Sequence, residues 1–360
     1  MFDEIASFTM EVIVYAFLGD YGTEKVLQDS LRLIPEVANG LFSIDRKFWW
    51  PLNKIFPFSF GPAMKSRKKF DTMIAGVIQE RRSALLMGDS GVRNVGVLDT
   101  MLEMQAKQRA AGGPRDGEIE YDDEFICDNI CTAMFAGFDT SSATLARILQ
   151  FLVSNESKEL DLKKQLLEEL SGSVAVEEHY VEEEPTNGSS NARGSPEKGV
   201  FHSFPLLDAV VLESNRMSPA VGGVIRKAMK TMEFNGFLIP EGESISWSLI
   251  NGYVSDSFYP QHTKFCPYRF LQGGKIGSIP SNGAMSPAEA HGNQPRPQMF
   301  GYGKHMCPGK ELAKLEILLF LKFFLPKYGY RLVEGQNLGG FMARNAPKDG
   351  LRLVLTTTGA

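Results

Sequence analysis

The chain has 360 residues, 43% of them hydrophobic and 22% charged, enough apolar surface for a large buried core. Its net charge of -5 argues against a nucleic-acid-binding surface, which shows as a strong basic excess. The cysteines Cys127, Cys131, Cys266 and Cys307 form no C-x-x-C pair and no even framework, which argues against a disulfide-stapled secreted domain and fits a reducing compartment.

In chain order, residues 4–18 and 23–42 carry a helical rhythm, the first ending at Gly19. The segment FWWPLNKIFPFSFGP, residues 48–62, is broken by prolines and cannot be one long helix. A basic amphipathic helix is expected over 63–88, with Arg67, Lys68, Lys69, Arg81 and Arg82, and a loop over 107–117. From Asp122 to Ser154 the pattern predicts a long helix whose middle, CTAMFAGFDTSSATLA, is apolar on nearly every face and therefore buried. Cys127 and Cys131 lie one turn apart on it and read as small core residues.

A further helix is expected at 158–170. Residues 171–200 turn acidic and then Ser-, Gly- and Asn-rich, the composition of a mobile insertion. Helical patterning returns at Phe204–Asn215. Strand signals follow at 224–229, 233–240 and 243–249, with a hairpin turn at Asn235-Gly236. Residues 272–298 read as a long loop, a last helix runs from Pro308 to Leu325, and two strands close the chain. The order is that of a single mainly helical α+β domain. No stretch reads as a membrane span: residues 5–19 are interrupted by Thr9 and Glu11, and LEILLFLKFFL is short and holds Lys322.

Three motifs carry chemistry. The first is FGYGKHMCPG, residues 300–309, leading into a helix. A cysteine just before a helix sits near unpaired backbone N–H groups and the positive end of the dipole, which favour a thiolate. Pro308 suits a first helical position. Gly303 and Gly309 allow sharp turns and close approach of a flat ligand, and Phe300 offers an aromatic wall. A thiolate so placed suits axial ligation of haem iron. The second motif is ESNR, where Glu213 and Arg216 share one helix face amid apolar residues; a buried pair needs further partners, and Arg269 in PYRF supplies a candidate. The third is AGFDTSS, residues 136–142, where the Thr140 hydroxyl can bond back to the Ala136 carbonyl and bend the helix. A close-packed helix crossing is the other reading of that motif.

The whole pattern F-x-x-G-x-x-x-C-x-G resembles the haem-binding signature of the cytochromes P450, with His305 where that family usually has arginine. The resemblance extends to the family's E-x-x-R and Pro-x-Arg-Phe motifs and to its central oxygen-binding groove, in the same order. It implies a cytochrome P450 fold, here without the family's N-terminal part, and haem b ligated by Cys307. His305 and Arg226 would bond the propionates. Thr140 would hold a water or the distal oxygen, Asp139 would help deliver protons, and Ala136 with Gly137 would leave room for dioxygen.

The implied reaction is insertion of one oxygen atom from O2 into a lipophilic substrate. The haem-side tract CPGKELAKLE is similar to the clan that oxidises sterols, terpenoids, retinoids and carotenoids. Electrons would come from NADPH through a reductase, for which Lys304, Lys310 and Lys314 form a candidate docking face or merely a solvated one. Pocket walls would be Phe135, Ala136, Val221–Val224, Phe341 and Met342. For the full-length family member the resemblance implies the cytosolic face of the endoplasmic reticulum membrane, with the aromatics of 48–62 either a lipid-facing patch or a satellite of the core. Two other readings stay open: an O2-independent isomerase of the same fold, which the retained Asp139-Thr140 pair disfavours, and a truncated, haem-poor protein without catalysis.

Overall fold

A computed structural model describes residues 1–41, 60–87, 96–172, 204–256, 258–271, 297–301, 303–339 and 347–357. The aromatic stretch up to residue 59, nearly all of the expected insertion and long loop, and Phe341 with Met342 lie outside these residues. The chain divides into two compact units, one of Asp3–Ser142 and one of Met1–Phe2 with Ala143–Ala360.

In the first unit, α1 (Phe2–Leu18) buries Ile5, Met10, Ile13 and Leu18 along one stripe. Gly19, at φ +55, turns the chain into a short 3-10 turn. Helix α2 (Glu24–Leu41) lies along α3 (Phe60–Leu86), with Leu33, Ile34, Phe70, Ile74 and Ile78 in the core. The three arginines of α3 pair with carboxylates. Arg67 donates to Asp71 at 2.6 Å and also bonds Asp128, Arg81 is paired with Asp99, and Arg82 donates to Asp123 at 2.7 Å and Gln105 at 2.9 Å. Helix α4 (Val97–Ala110) occupies part of what the sequence predicts as loop. It holds through Ala110 because Leu98, Leu102 and Gln105 are buried, and it stops at Gly112 and Gly113, both at positive φ.

The predicted long helix is α5 (Asp123–Leu152). Ile126, Ile130, Met134 and Phe138 form its buried stripe, and Ser141–Leu149 are buried without interruption. Cys127 and Cys131 are buried, and burial pushes both thiols up to about 11.

In the second unit the helix expected at 158–170 is two: α6 (Asn155–Glu159) and α7 (Leu162–Gly172), parted by Asp161 at φ +48. The left-handed residue breaks a hydrophobic rhythm that continues across it. Helix α8 (Pro205–Met217) starts under Glu169 of α7, whose carboxylate accepts the Leu206 and Leu207 amides at 2.8 and 2.9 Å. That side chain satisfies two otherwise orphaned helix N–H groups.

Strand β1 (Gly223–Lys227) pairs antiparallel with β4 (Ser244–Ser248), and between them β2 (Met232–Phe234) and β3 (Phe237–Ile239) form a hairpin. Asn235 and Gly236 have φ +49 and +82, the pair of positive angles that a two-residue turn of matching twist needs. Beyond a single turn, α9 (Leu249–Gly252), a loop descends to the 3-10 turn Pro267–Phe270. Helix α10 (Lys310–Lys327) packs on α7 and buries Leu318, Leu321 and Leu325. It starts two residues after Pro308, and its first bond runs from the Ala313 amide to the Gly309 carbonyl at 2.9 Å. The two strands expected at the end of the chain, β5 (Tyr328–Leu332) and β6 (Leu353–Thr357), pair antiparallel.

Candidate functional site

Glu213, Arg216 and Arg269 meet with no exposed surface at all. Arg216 lies three residues on from Glu213 along α8 and grips its carboxylate with two donors, at 2.7 and 2.9 Å. Arg269 reaches the same carboxylate from the 3-10 turn at 3.0 Å, and the Cys266 amide adds a further bond at 2.9 Å. Buried charges need further hydrogen-bond partners, and backbone carbonyls supply some of them. Arg216 donates to the Tyr253 carbonyl at 3.1 Å, Arg269 to that of Pro260 at 3.1 Å, and both to that of Lys264 at 3.4 Å. Arg216 also lies 5.3 Å from the centre of the Tyr259 ring, a cation–π distance. Burial pushes the Tyr259 phenol up to about 12.

The cysteine loop belongs to the same unit. Gly301 and Gly303 have φ +67 and +64, angles that glycine adopts without strain. They let the loop close on itself, with the Cys307 amide donating to the Phe300 carbonyl at 2.8 Å and the Met306 amide to the Gly303 carbonyl at 3.1 Å. Beside Gly303 there is open space where a Cβ would stand. Cys307 is exposed, whereas Cys127, Cys131 and Cys266 are buried, and burial raises all three of their thiols. The chemistry of this donor set fits a haem. The exposed thiol sits on a glycine-opened loop before a long helix, and the three buried ones are held protonated.

The other expected ligands are placed less closely. His305 is exposed at the end of the 3-10 turn Gly303–His305. Arg226 is exposed on β1 and donates to the neighbouring Ile225 carbonyl at 2.9 Å. Phe300 and Gly309 are half-buried. Lys314 does not join an exposed lysine face: it is drawn to within 4.0 Å of Asp208 on α8, and Lys310 stands 3.5 Å from Glu311.

In the first unit, Thr140 donates its hydroxyl to the Ala136 carbonyl at 2.7 Å. Asp139 is buried, Thr140 half-buried and Ala136 exposed. Gly137 faces α1, and a Cβ there would collide with Ile13, so the residue is needed for the close packing of α1 on α5.

The comparisons fall in with this geometry. A model of the cytochrome P450 family matches residues 1–345.

The chain belongs to the cytochrome P450 family.

Membership implies haem held through a cysteine thiolate. Among the relatives, abscisic acid 8′-hydroxylase 1 of Arabidopsis thaliana is 27% identical over 360 residues, covering 98% of this chain and 62% of that protein. The 3-epi-6-deoxocathasterone 23-monooxygenase CYP90C1 of the same plant is 25% identical, covering 93% of this chain and 54% of that one. The chain thus spans less than two thirds of the length of these two cytochrome P450 relatives. In structure it resembles a retinoic acid-bound cyanobacterial CYP120A1 with a TM-score of 0.71 at 23% identity, covering 99% of this chain and 69% of that one. A zebrafish cytochrome P450 with progesterone gives 0.70 at 18%, covering 99% and 71%. These likenesses establish the P450 fold.

Tyr253 and Tyr259 were not singled out in the sequence. Each enters the arginine cluster through a backbone carbonyl or a ring face, and no spacing of residue types announces either.

Proposed function

We propose that this chain is the haem-binding part of a monooxygenase that inserts one atom of O2 into a lipophilic substrate. The carrying observation is the Cys307 loop: an exposed thiol within F-x-x-G-x-x-x-C-x-G, in a chain matched by the cytochrome P450 family model over residues 1–345. Cys307 is the iron ligand in this reading. Phe300, Gly303 and Gly309 border the haem, and His305 and Arg226 bond its propionates. When bound, thiolate-ligated haem supplies the electron density that favours O–O cleavage.

In the first unit, the Thr140 hydroxyl commits its hydrogen to the Ala136 carbonyl, so its oxygen keeps lone pairs for accepting a hydrogen bond. It holds a water there, and Asp139 helps deliver protons to that water by taking them up and passing them on. Ala136 leaves room beside it, whereas the space at Gly137 is filled by Ile13. Electrons come from NADPH through a reductase. The relatives named as a hydroxylase and a monooxygenase support a small lipophilic substrate and stop short of identifying it. No helix among the described residues is long and apolar enough to cross a membrane; the endoplasmic reticulum surface is the proposed location of the full-length protein.

Reconstitution with an NADPH-dependent reductase tests this reading against a panel of sterols, terpenoids and carotenoids. Wild type consumes O2 and NADPH and forms hydroxylated product. Thr140→Ala loses about a hundredfold in product, the scale of a positioned proton-transfer group, while NADPH consumption continues. Turnover of an organic hydroperoxide with neither O2 nor reductase would replace monooxygenation with isomerisation.

A further inference from the structure

We infer that Tyr253 is a positioning residue for the iron ligand, tying the Cys307 loop to the buried arginine cluster through two of its own atoms. Its backbone carbonyl accepts from Arg216 at 3.1 Å, and its hydroxyl accepts the Gln298 amide at 2.9 Å. Gln298 opens the loop. Its carbonyl accepts the Gly301 amide at 3.1 Å, and one residue nearer, the Phe300 carbonyl accepts the Cys307 amide at 2.8 Å.

The phenol ring is itself held, edge-on to Tyr259 at 6.2 Å between centres, and Tyr259 lies under Arg216 and against Phe270 at 6.3 Å. A continuous run of fixed groups therefore leads from a carboxylate with no exposed surface to the first amide of a loop that carries the exposed Cys307. The glycines that let the loop close also leave it few side chains with which to pack. An external hydrogen bond at its start is what such a loop lacks, and the Tyr253 hydroxyl supplies it.

The consequence for iron ligation rests on the reading of Cys307 given above; the tether is a property of the chain with or without haem. Tyr253→Phe removes the oxygen and keeps the ring. Hydrogen exchange is measured on the haem-free 1–360 chain at the Gln298 amide and across α8, and the carbon-monoxide spectrum is recorded on the haem-loaded chain.

The expected result is about tenfold faster exchange at Gln298, the effect of one lost intramolecular bond, with α8 unchanged. In the spectrum, part of the red-shifted Soret band of thiolate ligation gives way to the band of a protonated or displaced cysteine. Unchanged exchange at Gln298 would overturn the inference, and so would an equal rise across α8, which would mean general loosening. A wild-type chain with no thiolate band would refute the haem reading alone, because the exchange result still decides the role of Tyr253.

Discussion

Glu213 has no exposed surface, and its carboxyl is fully engaged: one of its oxygens accepts three donors and the other a fourth. Glu213→Gln preserves the shape and removes the negative charge that the buried Arg216 and Arg269 both grip. Loss of one member of such a cluster costs about 3–5 kcal/mol. The urea midpoint of the variant should fall at unchanged slope; an unmoved midpoint would mean that the carbonyls suffice. The Glu213–Arg216 pair was legible in the sequence, because a spacing of three on an apolar helix leaves two charges nothing to face but each other. The bond from Thr140 to Ala136 was legible for a similar reason, since threonine in mid-helix has few other places to put its hydrogen. The carbonyls of Tyr253, Pro260 and Lys264 were not, because a backbone acceptor belongs to every residue type and only the folded path of the loop selects it.

At the scale of elements, Gly137 of α5 packs directly against Ile13 of α1. Gly137→Val forces Ile13 aside, and overpacking of this kind costs about 1–3 kcal/mol, read as a lower midpoint of thermal unfolding. A variant as stable as wild type would show that α1 can move away freely. The clamp between α3 and α5 adds a pH dependence. The Arg82 guanidinium holds the Asp123 carboxyl below its ordinary value of 3.8, against the opposing effect of burial and with further help from Gln105. A lowered folded value means that the stabilisation is complete above 3.8 and is lost as pH falls through the lower value. Asp123→Asn should therefore flatten the acid limb of the unfolding curve and leave its slope near neutrality unchanged; an unaltered acid limb would contradict the pairing. Most helices and the Asn235-Gly236 hairpin were readable from periodicity and turn chemistry. The break at Asp161 was not, because polar and apolar residues keep their rhythm across it. Helix α4 was missed where its last turn, rich in Lys, Gln and Arg, carries no apolar stripe and runs into glycines.

For the whole molecule, family membership was legible because three motifs recur in one order, each weak alone. The described structure adds a distinction among the cysteines that spacing does not contain. Iodoacetamide should modify Cys307 of the haem-free chain well before the other three thiols, which are buried and held protonated, and peptide mapping would show it; early labelling of Cys127 or Cys131 would contradict the burial. Substrate identity is not legible at any scale, since the expected apolar walls at Val221 and Ala136 have counterparts in any site for a lipophilic ligand. The measurement that bears most directly on the central claim is the carbon-monoxide difference spectrum of the reduced 1–360 chain after haem loading. The account predicts a strongly red-shifted Soret band that disappears in Cys307→Ala. A flat spectrum from folded protein, or a band that survives that substitution, would contradict the assignment of Cys307 as the iron ligand of this chain.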